Sequence, residues 1–169
     1  MSTDSSDSEQ KHFPPTREHN DAPALSRTRT ARGITPTYAF GWLLNRYLLL
    51  EALDPEGKYE SSFGDLNYHV LTPKWYDSYA DSLGYSYRPR FRILSDLRIF
   101  ISFGSNKSQQ SLKTVSELDT DKLLSTYREY LNLDDHFLPS PKWHKLPIPY
   151  DEIDSFLGRG AIRMSHLNI

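Results

Sequence analysis

The run Tyr85-Ser86-Tyr87-Arg88-Pro89-Arg90-Phe91-Arg92 carries the densest candidate chemistry in this sequence. On an extended backbone successive side chains alternate between faces, so Arg88, Arg90 and Arg92 form a row on one side, with Tyr87 and Phe91 on the other. Guanidinium groups at that spacing suit consecutive phosphates, a phosphopeptide or an acidic protein surface. A second reading needs no ligand. Pro89 and the charges are what an edge strand carries to prevent pairing with foreign chains, and the aromatics then belong to the core. Proteins that read RNA on a sheet stack bases on aromatics displayed beside their cations. Here the alternation sends the two classes to opposite faces, which counts against RNA.

A second basic group, Arg27, Arg29 and Arg32, ends a Ser/Thr/Asp/Arg-rich segment whose acids Asp4, Asp7 and Glu9 come first. With few apolar side chains, residues 1–33 read as a disordered tail. Ser6 with Glu9, and Arg27 with Thr30, match acid-directed and base-directed kinase spacings, so the tail is open to modification. A phosphate at Thr30 would offset the neighbouring arginine charge.

Other chemistry is thinner. Phe103 to Ser108 follows a strand pattern and contains Gly104, Lys107 and Ser108, yet a phosphate loop would need Gly where Ile101 and Asn106 stand. Gly158-Arg159-Gly160 has too few glycines for nucleotide binding, and a helix C-cap accounts for Gly158. The histidines at 12, 19, 69, 136, 144 and 166 show no metal-ligand spacing. Asp134-Asp135-His136 reads as a solvated helix end, and Asp77 and Asp81, four apart and opposite Trp75 and Tyr79, as a solvated helix face. There is no cysteine and no Gly-x-Ser-x-Gly elbow, which leaves thiol chemistry, Cys-ligated zinc and disulfides out. No motif indicates a cofactor. A catalytic site scattered through the sequence, drawing on His69, His136, His144, Asp77, Asp81 and Asp135, is the remaining enzyme reading.

The elements that must position these residues follow from pattern. The 169 residues, 13 % of them aromatic, suffice for one core, so we expect a tail over 1–33 and a single domain over 34–169. Thr35-Pro36 marks a helix start, and Tyr38 to Leu53 leaves almost no polar face, which predicts a central helix closed by the turn Asp54-Pro55-Glu56-Gly57. Leu66, Tyr68 and Val70 alternate as in a short strand, and Thr72-Pro73 opens a helix that Gly84 closes. Tyr87 to Leu94 and Leu97 to Phe103 read as strands, open to antiparallel pairing across Ser95-Asp96. The span from Leu66 to Leu94 is also long enough for a parallel crossover. Gly104 to Thr114 reads as a polar loop. Leu123, Tyr127, Tyr130 and Leu131 mark a helix led by Glu117, Asp119 and Asp121. Pro139 to Pro149 should be extended, offered to a partner's aromatic groove or strapped by Trp143 onto its own body. A short helix around Ile153, Phe156 and Leu157 stops at Gly158.

The sum is an α+β fold, helices packed on a short mixed or antiparallel sheet. The net charge of −2 gives no global pull toward nucleic acid or anionic lipid. The absence of cysteine and of a leader-like N-terminus favours a soluble protein of cytosol or nucleus, and no apolar run reaches membrane-span length. The function these features favour is a non-catalytic protein-interaction module with a modifiable tail. The alternative is nucleic-acid binding through Arg27, Arg29, Arg32, Arg88, Arg90 and Arg92. An exposed patch around Trp143 or Phe100 would favour self-association.

Overall fold

A computed structural model describes residues 13–59, 63–94 and 97–147. The fold is α+β. Five strands pair in the order β1-β7-β4-β6-β5, comprising β1 (Thr16–Arg17), β4 (Tyr38–Asn45), β5 (Arg90–Ile93), β6 (Arg98–Ser105) and β7 (Lys142–Lys145). A separate hairpin joins β2 (Arg29–Thr30) to β3 (Gly33–Ile34). Among the described residues every pairing is antiparallel, so the expected parallel crossover is not used there.

The apolar run after Thr35-Pro36 is a strand for its first half, not a helix. β4 is central, with β7 on one side and β6 on the other, and the first five of its eight residues are buried. Covered on both faces, such a strand reads as a near-continuous hydrophobic run and imitates a buried helix. Helix α1 (Arg46–Leu53) begins only at Asn45, whose Oδ1 accepts from the backbone N–H of Tyr47 (2.9 Å) and Leu48 (3.3 Å).

The alternating stretch Leu66 to Val70 is likewise not a strand. It belongs to a helical segment, α2 (Phe63–Leu66), passing through a π-turn (Asn67–Leu71) into α3 (Thr72–Ser78). The π-turn adds one residue between Leu66 and Leu71, which keeps Phe63, Leu66, Leu71 and Trp75 all buried while Tyr68 stays exposed. Helix α4 (Ala80–Leu83) ends at Gly84, at φ +82°, as the sequence predicted.

The expected loop at 104–114 is the end of β6 followed by α5 (Gln109–Ser116), capped by Ser108 Oγ on the Ser111 N–H (3.1 Å). A polar amphipathic helix lacks the apolar density that marks a helix in sequence. Helix α6 (Thr120–Leu131) lies where the aromatic spacing put it, with Asp119 as N-cap.

The helices cover one face of the sheet. There Trp42, Phe103, Trp75, Tyr127 and Tyr130 form one aromatic cluster, with neighbouring ring centroids 5.0–5.6 Å apart. Its polar atoms anchor loops. Tyr127 Oη donates to the Tyr87 carbonyl (2.6 Å), Tyr130 Oη to that of Leu71 (2.7 Å), and Trp42 Nε1 to that of Pro139. Burial pushes both tyrosine hydroxyls far above their ordinary pKa, so they remain donors.

The folded body begins before Gly33, contrary to the expected tail boundary. The Tyr38 hydroxyl donates to the Pro14 carbonyl (2.6 Å), β1 pairs with β7, and a His19 ring nitrogen lies 2.6 Å from the Val115 carbonyl oxygen. Backbone pairing holds this segment, and composition does not register backbone pairing. Residues 1–12, with Ser6, and the expected helix at Ile153, Phe156 and Leu157 lie outside the described residues, as does the Ser95-Asp96 turn. Among the described residues no helix is long and apolar enough to cross a membrane.

Candidate functional site

The sheet ends at β5, and among the described residues no strand pairs with its outer edge. Only Arg90 and Arg92 of the expected arginine row lie in this strand. Gly84 at φ +82° turns the chain into a 3₁₀ turn (Tyr85–Tyr87), and Pro89 precedes the first ladder residue, so the strand starts at Arg90 rather than Tyr87. Phe91 faces the helices, its ring 5.5 Å from that of Phe63, and Arg90 and Arg92 take the opposite face.

The three arginines differ in environment. Arg90 is exposed, whereas Arg92 is 9 % exposed, and burial foremost, then the charge of Arg90, lowers its pKa to about 10. It stays cationic near neutrality. Arg88 instead lies on the tyrosines of the helical side, its guanidinium carbon 5.3 Å from the ring centre of Tyr76 and 5.8 Å from that of Tyr85. Those rings are 48 % and 71 % exposed, which for large side chains this close together is notable surface.

The base of this patch is fixed. The Arg88 N–H donates to the Tyr85 carbonyl (3.0 Å), the Tyr87 carbonyl accepts from buried Tyr127, and the Tyr87 hydroxyl accepts from the Asp119 N–H (3.1 Å). A planar cation held between two exposed rings on an anchored turn is arranged to meet a carboxylate or phosphate with little ordering cost. Tyr76 lies in α3, and the alternation around Arg88 could not bring it into view. The helical spacing of Trp75, Tyr76, Tyr79, Ala80 and Leu83 instead put Tyr76 on the buried side, whereas it is 48 % exposed.

The other arginine group stands on a different element. Arg29 and Arg32 belong to the β2–β3 hairpin, and Arg27, at φ +64°, leads into it. The Thr30 hydroxyl lies within that hairpin, donating to the Gly33 carbonyl (3.0 Å) and accepting from the Arg32 N–H (3.2 Å). Along the described part of the proline run Pro139, Ser140 and Pro147 are exposed, while Leu138, Pro141, Trp143 and Leu146 are buried. Trp143 is fully buried in β7, between β1 and β4, and Phe100 is 1 % exposed, so neither supplies an apolar patch.

The scattered titratable residues stand on separate elements. Asp77 and Asp81 are exposed on α3 and α4, His69 is exposed in the π-turn, and Asp135 pairs with Arg128 (3.1 Å). His136 is exposed beyond α6, and His144 is half-buried in β7. Among the described residues no group of three His, Asp or Glu is placed to hold a metal. Two shallow grooves flank α1, one along Arg46 to Gly57 and one between Leu48 and Phe137, and neither contains that set.

His144 makes a testable contribution to stability. Its ring packs edge-on against Phe100 at 5.4 Å, and burial holds its pKa below the ordinary histidine value, opposed by a hydrogen bond with the Gly41 backbone and assisted by the charge of Lys142. The unfolded chain therefore takes up a proton at His144 near pH ~6.5, and the folded chain only at lower pH. The stabilisation is whole above that value and is lost as pH falls through the depressed folded pKa. His144→Gln should flatten the fall of Tm on the acid side of pH ~6.5. Equal acid slopes for variant and wild type would exclude this residue as the cause.

Comparison with protein-family models, with curated proteins and with solved structures returns no match, so any functional reading rests on the surface just described.

Proposed function

We propose that this chain is a non-catalytic protein-interaction module that binds through the β5 edge and the adjoining Tyr76, Tyr85, Arg88 and Arg90. The observation that carries this reading is the Arg88 guanidinium resting on two exposed tyrosines beside the end of the sheet. Tyrosine and arginine are the residue types that concentrate binding energy at interfaces, because they offer large rigid area with a polar end. No acidic side chain pairs with Arg88 or Arg90 among the described residues, so both charges are available to a partner.

A photo-crosslinking residue in place of Tyr85 tests this in cells. One dominant protein adduct is expected, lost in Arg88→Glu/Arg90→Glu with Tm unchanged. Adducts indifferent to that double substitution would refute the reading.

A second reading, nucleic-acid binding, gains from the same exposure, since Tyr76 and Tyr85 stand beside a cation as base-stacking platforms do. It predicts a log-log salt slope of roughly 0.7 per neutralised phosphate on single strands. The two arginine groups occupy separate elements and the net charge is −2, which favours the protein partner. A salt-dependent single-strand affinity abolished by Arg88→Ala would reverse that order.

A further inference from the structure

Resting on the interaction reading above, we propose that the partner presents an extended acidic segment that adds to β5 as a sixth strand. Four observations converge on this occupant. The outer edge of β5 is unpaired among the described residues, leaving alternate backbone N–H and C=O groups directed away from β6. The strand carries Arg90 exposed on one face and Ile93, half exposed, on the other. Arg92 shares the face of Arg90, is 9 % exposed and stays cationic near neutrality. Arg88, resting on exposed Tyr76 and Tyr85, adds an aromatic surface at the start of the strand, at the opposite end from Ile93.

An incoming strand alternates its side chains with the same period. Acidic side chains on one face meet the arginines, and apolar ones on the other meet Ile93 and the tyrosines. Backbone hydrogen bonds give such a complex its affinity, and the alternate side chains its selectivity. A second copy of this chain is a poor occupant. In the antiparallel β5–β5 register centred on Phe91, Arg90 of each copy faces Arg92 of the other, and like charges directly opposed are destabilising.

The probe is a fluorescein-labelled peptide alternating glutamate and valine over about eight residues, long enough to span β5. Two controls accompany it, one with lysine for glutamate and one keeping every glutamate but interrupted by proline. Saturable binding to the full-length protein is expected, weakened about tenfold or more by Arg90→Glu and lost with either control peptide. The outward-pointing amides among residues 90–93 should gain protection from hydrogen exchange on binding.

Equal binding of the proline-interrupted peptide would show charge attraction without strand addition and overturn the proposal. So would no binding up to about 1 mM. Concentration-dependent dimerisation that protects β5 would make a second copy the occupant. Protection of β5 in the free protein, removed by deleting residues 1–12, would make the chain's own acids the occupant, and both results would overturn the proposal. Each of these leaves the interaction surface itself standing if the crosslink at position 85 persists, whereas loss of that crosslink removes the surface too.

Discussion

Gly41→Ala is expected to abolish the native fold. A Cβ at Gly41 would lie 1.8 Å from the Ile101 carbonyl oxygen, 2.9 Å from its carbon and 3.1 Å from Ser102 Cα, all backbone atoms of the neighbouring strand. Gly41 also has φ +152°, a conformation that a residue with Cβ rarely adopts. It marks the register shift between Phe40 and Gly41, the point where β4 steps past an irregularity in β6. Relief of the overlap would require β4 and β6 to part at the centre of the sheet, opening the ladder that supports Trp42 and Ile101. The cost should exceed the ~4–5 kcal/mol that marks exceptional single substitutions, comparable to the whole stability of a domain.

Near-UV circular dichroism and a thermal melt would check this, with loss of the aromatic signal and of a cooperative transition expected. Gly84→Ala is the control. Gly84 also has positive φ, yet a Cβ there meets nothing within 4 Å, so only backbone strain of roughly 1–3 kcal/mol applies. A cooperative melt of Gly41→Ala no lower than that of Gly84→Ala would show that β4 and β6 do not approach as closely as described.

Asn106→Leu should release the N-terminal segment while leaving the sheet assembled. Asn106 is fully buried, and its side chain completes three hydrogen bonds: Oδ1 accepts from the Tyr38 N–H (2.8 Å), and Nδ2 donates to the carbonyls of Ala24 and Pro36 (both 2.9 Å). Its backbone adds two, donating to the Tyr38 carbonyl (3.1 Å) and accepting from the Ser26 N–H (2.9 Å). Leucine keeps the approximate volume and leaves all three side-chain partners unmet. The Tyr38 N–H, in a fully buried residue, bears the full penalty of ~1–3 kcal/mol, while the carbonyls of exposed Ala24 and half-buried Pro36 can turn to water at smaller cost.

A loss of about 3 kcal/mol, or roughly 6–12 °C in Tm, is expected. The amides of Ser26, Arg27 and Thr35 should exchange faster by a larger factor than those of β6. Uniform acceleration across the sheet would mean that Asn106 supports global stability rather than this one attachment. Asn106→Asp separates the donor contribution, because its ionised carboxylate can still accept from Tyr38 but faces two carbonyl oxygens. Its pKa should rise in the folded state, so the variant's deficit should be smallest below the unfolded carboxyl pKa and grow as pH increases.

These two residues also show the limits of the sequence pattern. The segment around Asn106 invited comparison with a phosphate loop and was set aside on glycine spacing, but nothing local disclosed its role. Its partners lie 68, 70 and 82 residues away, and only the fold brings them to hydrogen-bonding distance. The same holds for Arg88, whose neighbour Tyr85 is local and whose other ring, Tyr76, is supplied by α3. Alternation implied a row of three arginines. Pro89 and the 3₁₀ turn break that row, placing one guanidinium on the tyrosines, one in solvent and one beneath the surface.

Legible in the residues alone were the α+β class, the helix carrying Tyr127 and Tyr130, the strand carrying Ile99 and Ile101 and the stop at Gly84. Those features rest on periodicity or on a residue's own backbone preference, both of which act over a few positions. Tertiary structure alone decided that Tyr38 to Asn45 is a central strand, since a run covered on every side has no period to reveal its geometry. It also decided that the π-turn returns Leu71 and Trp75 to the buried side, and that polar residues 13–33 fold onto the body. It placed Tyr76 beside Arg88 as well, because contacts between distant segments depend on how the whole chain packs.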